Sequence, residues 1–498
     1  MPDPHRIVIV GGGITGLSAA RAAKLRARAA GRDVAITVLE ASSRFGGNLV
    51  TERAGGFLLD GGPDSWVASK PHATALAREL GLESALVGTN DRNRRYFVAW
   101  GDRLHPVPEG LVLGVPTRVL PLAASRLFSW RGKARMALEP LVPARRFTGD
   151  DDESIASFAS RRLGKEAADR LVAPLLGGIS AGDASDISVR AAFPQLVAME
   201  EKYGSLVRGM IAAKRERPAS RPKMGAVPRS RPGSGEAGDL PSASAFVSLR
   251  GGVGDLVRAL VDKLEGEGVT MRSGVRVRGL RASPGGGWSV AAGEGDALRA
   301  DSVLLAVPAH AAASLLEPLD ASLADDLASI PYGSTATVFL GYRAADVQHP
   351  LDGVGFVVPR SLGRPILAGT WVSSKWNDRA PEGSVLLRAF FGGAWGEAVL
   401  AQSDESLVDL ARREIAALMG VRAEPALSRV FRFDRATAQM RVGHIATMRA
   451  IRRKLARAAR GVLLAGGGYD GVGIPDCVRQ GQEAGAALVG DGQLEAQV

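Results

Sequence analysis

A chain of 498 residues with 46% hydrophobic side chains is too long for a single core and calls for two or three domains. Lys and Arg number 63 against 52 Asp and Glu, a net charge of +11, but the basic excess lacks interleaved aromatics and nucleic acid is not an expected partner. The single cysteine, Cys477, excludes an internal disulfide and a C-x-x-C redox pair, so redox chemistry falls to a cofactor.

No apolar run reaches the roughly 18 residues of a membrane-spanning helix. The apolar stretch at Ile7 reads as part of a nucleotide fold and not as a signal segment. Residues 6–10 form the first predicted strand and run into Gly11-Gly12-Gly13-Ile14-Thr15-Gly16, before a helical pattern over 17–28. Gly11, Gly13 and Gly16 have the G-x-G-x-x-G spacing, which allows a tight turn, a close pyrophosphate and a close helix–strand contact. Unpaired N–H groups at the helix start favour phosphate. A second apolar strand, 34–39, ends at Glu40, where a ribose-binding acid belongs. Arg44 then precedes Gly46-Gly47, a cation to neutralise pyrophosphate beside glycines that keep the backbone near it.

Further along, residues 111–130 are apolar but interrupted by Pro116 and Pro121, with Arg118, Arg126 and Arg131 spaced among them. Such a segment fits a lipid interface or a buried helical hairpin equally. Helical periodicity follows over 153–213, and 215–244 is a Pro-, Ser-, Gly- and Arg-rich segment expected to be a mobile loop. The nucleotide fold resumes with a helix starting near Leu249, a short strand at 275–277 and a buried strand over 301–308. Alternation between 335 and 391 predicts a second sheet, a platform for substrate, and 407–419 an amphipathic helix. Residues 462–467 form a last strand, followed by a glycine turn through Gly473 and a helix from about Cys477, again offering N–H groups to a cofactor edge. Of the histidines, His310 is expected to cap a helix and His444 to be structural.

With these segments in place, the chain resembles the protoporphyrinogen oxidases, within the flavin amine oxidases and carotenoid desaturases. The likeness rests on the two glycine fingerprints, on Phe158 to Gly164, Gly177 to Asp183 and Ile187 to Pro194, and on Gly471-Val472-Gly473-Ile474-Pro475-Asp476-Cys477. It covers nearly the whole chain except the 215–244 loop. It implies an α/β fold with a discontinuous Rossmann-like FAD-binding domain (1–90, 246–310, 441–498), a helical, membrane-associating domain (91–214), the loop (215–245) and a mixed-sheet substrate domain (311–440). FAD contacts are implied at Gly11, Gly12, Gly13, Ile14, Thr15, Gly16, Glu40, Ala41, Arg44, Gly47 and Asn48. Further contacts are implied at Gly62, Pro63, Asp64, Ser65, Val277, Gly467, Val472, Gly473 and Ile474. Arg95 matches a propionate-binding arginine, Gly178 a backbone position near the macrocycle, and Val357, Thr370 and Phe390 the residues that sandwich it. Thr370 departs from the usual aliphatic residue, and Asn48 and Ala438 also depart from the pattern.

The implied reaction is oxidation of protoporphyrinogen IX to protoporphyrin IX in three two-electron hydride transfers to flavin, with oxygen as final acceptor. Positioning suffices for this chemistry, so no general base and no metal are assigned; Asp64 and Asp183 are the carboxylates to test first. Implied partners are the porphyrinogen, molecular oxygen, the inner face of the cell membrane for a cytoplasmic enzyme, a second copy of the chain and a ferrochelatase receiving product. Alternatives are a coproporphyrinogen III oxidase on the same fold, an amine oxidase, or a non-catalytic flavin- or tetrapyrrole-binding protein.

Overall fold

The first strand, His5–Val10, is apolar and buried from Ile7 onward because both faces of its sheet are covered. Helices cover one face, and helices together with a three-stranded sheet, Val277–Ala282, Trp288–Ala292 and Leu298–Ala300, cover the other. Ile7 and Ile9 enter a core with the helices Ile14–Ala30, Gly254–Gly266 and Ile474–Val489, while Val8 and Val10 enter another with Ala309–Leu316 and Ala321–Ala328. The computed structural model describes residues 3–112, 114–178, 182–216, 244–293, 297–393 and 396–490. Five parallel strands form this sheet, in the order Thr270–Arg272, Val34–Leu39, His5–Val10, Ser302–Leu305 and Val462–Leu464. The chain leaves the first strand to one side and later returns on the other, creating a switch point at the strand's carboxyl end, where Gly11 begins.

A seven-stranded sheet forms the platform, in the order Leu427–Ala438, Tyr332–Arg343, Ser384–Gly392, Ala368–Trp371, Gly353–Val357, Arg95–Trp100 and Arg103–Pro106. Its pairings are antiparallel except where Gly353–Val357 meets Arg95–Trp100. Alternation divides the faces. Val338, Leu340, Leu387, Ala389 and Phe391 pack behind the sheet on the helix Asp404–Met419. That helix starts where the Ser403 hydroxyl accepts from the Ser406 N–H and stops at Gly420, which has φ +74°.

Several expectations shift. The strands Arg95–Trp100 and Arg103–Pro106 belong to the platform by pairing, so a division at residue 91 cuts through that sheet. The short strand expected at 275–277 instead begins at Val277 and runs to Ala282. Residues 111–130 give a two-strand hairpin, Leu111–Val112 with Val115–Pro116, then the helix Val119–Ala124. The helical run over 153–213 breaks into several pieces, since Gly164 at φ +92° ends Ile155–Leu163 and Pro194 starts a new helix. One piece, Ala168–Gly177, is a π-helix containing Pro174. The last piece extends to Glu216; apart from its ends, the 215–244 loop lies outside the described residues.

An ionic knot ties the helical pieces together. Arg162, Glu139 and Glu200 are fully buried; Arg162 donates to Glu139 and to the Val142 carbonyl, and Glu139 accepts from the Ser205 hydroxyl and the Leu206 N–H.

Candidate active site

The glycine turn after the first strand is shaped by backbone contact. Gly11 has φ +108°, and a Cβ there would stand 2.3 Å from the Ala306 carbonyl oxygen. A Cβ on Gly16 would stand 2.0 Å from the Gly11 oxygen. Gly13, by contrast, has only the Gly47 Cα within 4.0 Å, which leaves a cradle open over the helix start. Gly13 is the N-cap of Ile14–Ala30 and no side chain caps it. The Glu40 carboxylate accepts from the N–H of Gly12 and of Ser42, each at 2.8 Å, and Ala41 beside it is exposed.

Around this cradle the second fingerprint folds back onto the first. The Gly46 N–H donates to the Gly12 carbonyl at 2.8 Å, and Arg44 donates to the Gly47 carbonyl at 2.6 Å. Burial pulls the Arg44 guanidinium below its usual value, against the opposing field of Glu40. Val277 opens the strand next to Glu40, held there by the Val275 N–H on the Glu40 carbonyl at 2.8 Å. From the other side comes Ile474–Val489, whose N-cap Gly473 likewise has no side-chain cap. This helix lies tight against Ile14–Ala30: a Cβ on Gly481 would stand 2.3 Å from the Thr15 oxygen, and one on Gly485 2.1 Å from the Ala19 oxygen. Two long helices therefore run parallel with uncapped N-termini, Ile474–Val489 starting about 9 Å beyond the start of Ile14–Ala30, a seat in which each offers its N–H groups to a different electron-rich part of a long ligand. Gly467 is tied in as well, since Tyr332 donates to its carbonyl at 3.2 Å.

The turn Gly61-Gly62-Pro63-Asp64-Ser65 lies where this seat meets the platform. Gly62 is obligatory, because a Cβ would stand 1.9 Å from the Asn48 oxygen; the Asn48 side chain donates to the Ala436 carbonyl at 3.3 Å. Asp64 is held by Lys375 at 2.8 Å, Ser65 at 2.7 Å and Trp376 Nε1 at 3.0 Å. Burial opposes its ionisation, yet Lys375 and Arg388 outweigh burial and hold the carboxyl well below the usual carboxylate range. Arg388 donates to the Gly61 and Gly62 carbonyls, both at 2.6 Å.

Val357, Thr370 and Phe390 share the front face of the platform. Strand pairing aligns Val98, Val357, Ala368, Phe390 and Thr337 in one row, and Tyr96, Gly355, Thr370 and Arg388 in the next. Val357 also packs on the helical core, which closes the far side of a slot. Gly178 is exposed, and among the described residues no atom lies within 4 Å of where a Cβ would project. Arg95 is out of phase with this face: its parity partners Phe97 and Ala99 lie in the rear core, and its guanidinium pairs with Asp352 at 2.8 Å. Asp183 accepts from the Ser185 N–H at 2.9 Å and pairs with Arg360 at 3.1 Å, the part of a turn residue.

His310 does not cap its helix; the N-cap is Pro308, and the imidazole stands edge-on to Tyr332 at 5.0 Å. His444 is structural, with Nε2 3.1 Å from the Tyr469 carbonyl. Burial pushes the Cys477 thiol up to about 11, so it is unreactive at neutral pH. Sequence reasoning missed Tyr96, Lys375 and Arg388; the signal for Arg388 was a lone charge within the alternating apolar run 385–391.

Comparisons with known proteins agree with this geometry. Residues 14–489 match the family described as flavin containing amine oxidoreductase. The chain is 36% identical over 478 residues to a protein of Bacillus subtilis (strain 168) named coproporphyrinogen III oxidase, covering 96% of each. It is 30% identical to the chloroplastic protoporphyrinogen oxidase 1 of Arabidopsis thaliana, over 96% of this chain and 86% of that protein. A crystal structure from Exiguobacterium sp. 255-15 superposes with a TM-score of 0.82 at 32% identity, covering 98% of this chain and 99% of the other. The two glycine fingerprints, the uncapped helix pair and these likenesses agree: the chain belongs to the flavin-containing amine oxidoreductase family, in the group that includes the coproporphyrinogen and protoporphyrinogen oxidases, and its cofactor is FAD.

Proposed function

We propose that the protein oxidises a porphyrinogen to the corresponding porphyrin, with coproporphyrinogen III as substrate. The observation that carries the reaction class is the front of the platform, where an apolar row through Val98, Val357 and Phe390 runs beside a more polar row through Tyr96 and Thr370. A porphyrinogen has the same division, an apolar macrocycle edged by carboxylates. The choice of coproporphyrinogen is supported by the Bacillus subtilis relative, at 36% identity. A second reading, protoporphyrinogen IX, is favoured by the exposed apolar side chains Leu120 and Trp130, 82% and 74% accessible, which suit a membrane-delivered, less charged substrate.

In this reading the start of Ile14–Ala30, at Gly13 and Thr15, would hold the diphosphate, and Gly473 and Ile474 at the start of the second helix would meet another part of the cofactor. Glu40 receives the ribose, with Val277 against the adenine. Bound FAD supplies two-electron oxidation at a bridging carbon, and three such rounds take six hydrogens from the macrocycle while three molecules of oxygen become hydrogen peroxide. The protein's part is to hold the flexible macrocycle between Phe390, Val357 and the Gly178 backbone, and to exclude water. Asp64 is a poor proton acceptor, since Lys375 occupies both of its oxygens at 2.8 and 2.9 Å. Arg95 serves a substrate carboxylate only by exchanging its pair with Asp352. In the second reading, the residues at 118–141 serve as a peripheral membrane contact.

Anaerobic mixing of purified protein with each porphyrinogen tests this, with flavin absorbance and porphyrin fluorescence as readouts. Faster bleaching with coproporphyrinogen III is the expected result, and the reverse preference would establish the second reading. A yellow protein that neither compound bleaches would defeat both.

A further inference from the structure

Arg388 stands in the middle of the platform with 4% of its surface exposed, and the substrate reading does not explain why a charge is buried there. Its guanidinium is met by neutral groups. Two glycine carbonyls lie at 2.6 Å, and the rings of Phe390 and Phe339 have centroids at 4.4 and 5.1 Å. The nearby carboxylates are taken by other cations: Asp64 by Lys375 at 2.8 Å and Asp60 by Arg379 at 3.3 Å. This cluster thus holds three cations against two carboxylates, and the unmatched charge is that of Arg388. Its Nε is buried and has no hydrogen-bond partner among the described residues. A buried arrangement with surplus positive charge costs stability unless an electron-rich group comes to lie beside it.

The two carbonyls give the guanidinium a second task. In a trans peptide the carbonyl and the following N–H point in opposite directions. With the Gly61 carbonyl held by Arg388 and, at 2.9 Å, by the Thr337 hydroxyl, the Gly62 N–H is turned away from the platform, and Pro63 offers none; the Gly62 carbonyl is held by Arg388. We propose that Arg388 is a positioning residue for the cofactor: it sets the peptide planes of the Gly61-Gly62-Pro63 turn and supplies the surplus positive charge that makes the bound ring easier to reduce. The inference rests on the proposed FAD site, with the ring beside the Gly61-Gly62-Pro63 turn, whose carbonyls are themselves in direct contact with the platform.

The experiment is a reductive titration of holoprotein against a reference dye, on wild type, Arg388→Gln and Arg388→Lys. The glutamine variant should shift the reduced-to-oxidised ratio at fixed potential at least tenfold toward oxidised, about 30 mV for a two-electron couple. Lysine, which retains the charge, should return most of that ratio. A glutamine variant with the wild-type potential and only a lower melting temperature overturns the proposal. Should that variant fail to load FAD, Thr370→Glu decides, because strand pairing places the new carboxylate opposite Arg388. A tenfold shift toward oxidised in that variant supports the proposal, and an unchanged potential overturns it. Wild-type protein that binds no flavin would instead overturn the site itself, and a normal flavin with no porphyrinogen activity would leave the potential measurement decisive.

Discussion

His444 shows how a single buried side chain sets a pH dependence far from the chemistry. It is 6% exposed, with Nε2 at 3.1 Å from the Tyr469 carbonyl, and burial depresses its pKa below the ordinary value. His310 and His349 shift in the same direction for the same cause. Below about pH 6.5 the unfolded chain binds protons at these positions that the native protein does not, so stability falls as pH drops through that value. Each fully neutral histidine contributes at most about 1.4 kcal/mol per pH unit. Asp64 has the carboxylate sign, with its stabilisation lost only below about pH 4, outside this window. Urea midpoints at pH 7.5 and 5.5 should therefore differ less in His444→Gln than in wild type. Equal differences in the two proteins would show that His444 is not the group that titrates.

Among the elements, the crossing of Ile14–Ala30 with Ile474–Val489 decides whether the cofactor seat exists. A Cβ on Gly485 would stand 2.1 Å from a backbone oxygen of Ala19, so Gly485→Val must push the helices apart. Overpacking of this kind costs about 1–3 kcal/mol. Because both N-termini line the seat, FAD retention on gel filtration should fall together with the melting temperature. A variant that loses stability but holds FAD as wild type does would show that the seat does not depend on this crossing. The same helix pair shows what was legible in the sequence. Gly11, Gly13 and Gly16 announce their role through spacing, and strands of the parallel sheet through unbroken apolar runs. Arg95–Trp100 was hidden because its partner, Gly353–Val357, is about 250 residues away, with helices and the strands of other sheets between them. Arg95 was assigned by resemblance alone, and only strand register tells that its neighbour Tyr96 is the residue on the face of Val357 and Phe390. Lys375 was invisible because its partner Asp64 is distant in sequence, and nothing local distinguishes a helix-end lysine that pairs from one that is solvated.

At the scale of the whole molecule, the nucleotide sheet is assembled from segments near 5, 270, 302 and 462, with the platform and the helical segment inserted between them. Such an insertion puts the helical segment at the outer end of the slot, where its far side faces solvent. Val119, Leu120, Trp130 and Leu141 are 77%, 82%, 74% and 73% exposed there, while Leu122 on the same short helix is buried. Arg118, Arg126 and Arg131 are exposed among them. Among the described residues no helix is long and apolar enough to cross a membrane, so these side chains can enter only the outer layer of one. Burying a large apolar side chain is worth about 1.5–3 kcal/mol, and each basic residue near an anionic surface about 1 kcal/mol. The two terms together predict binding that needs both apolar insertion and anionic lipid. Wild-type protein should sediment with phosphatidylglycerol vesicles and much less with phosphatidylcholine ones, and raised salt should weaken that binding. Leu120→Asp with Trp130→Glu should abolish it while leaving the flavin spectrum intact, because neither residue touches the nucleotide sheet or the platform. If wild-type protein ignores anionic vesicles, the exposed side chains are to be read as a surface for another protein chain. The case for a membrane-delivered substrate would then fall with the membrane contact, leaving the coproporphyrinogen reading.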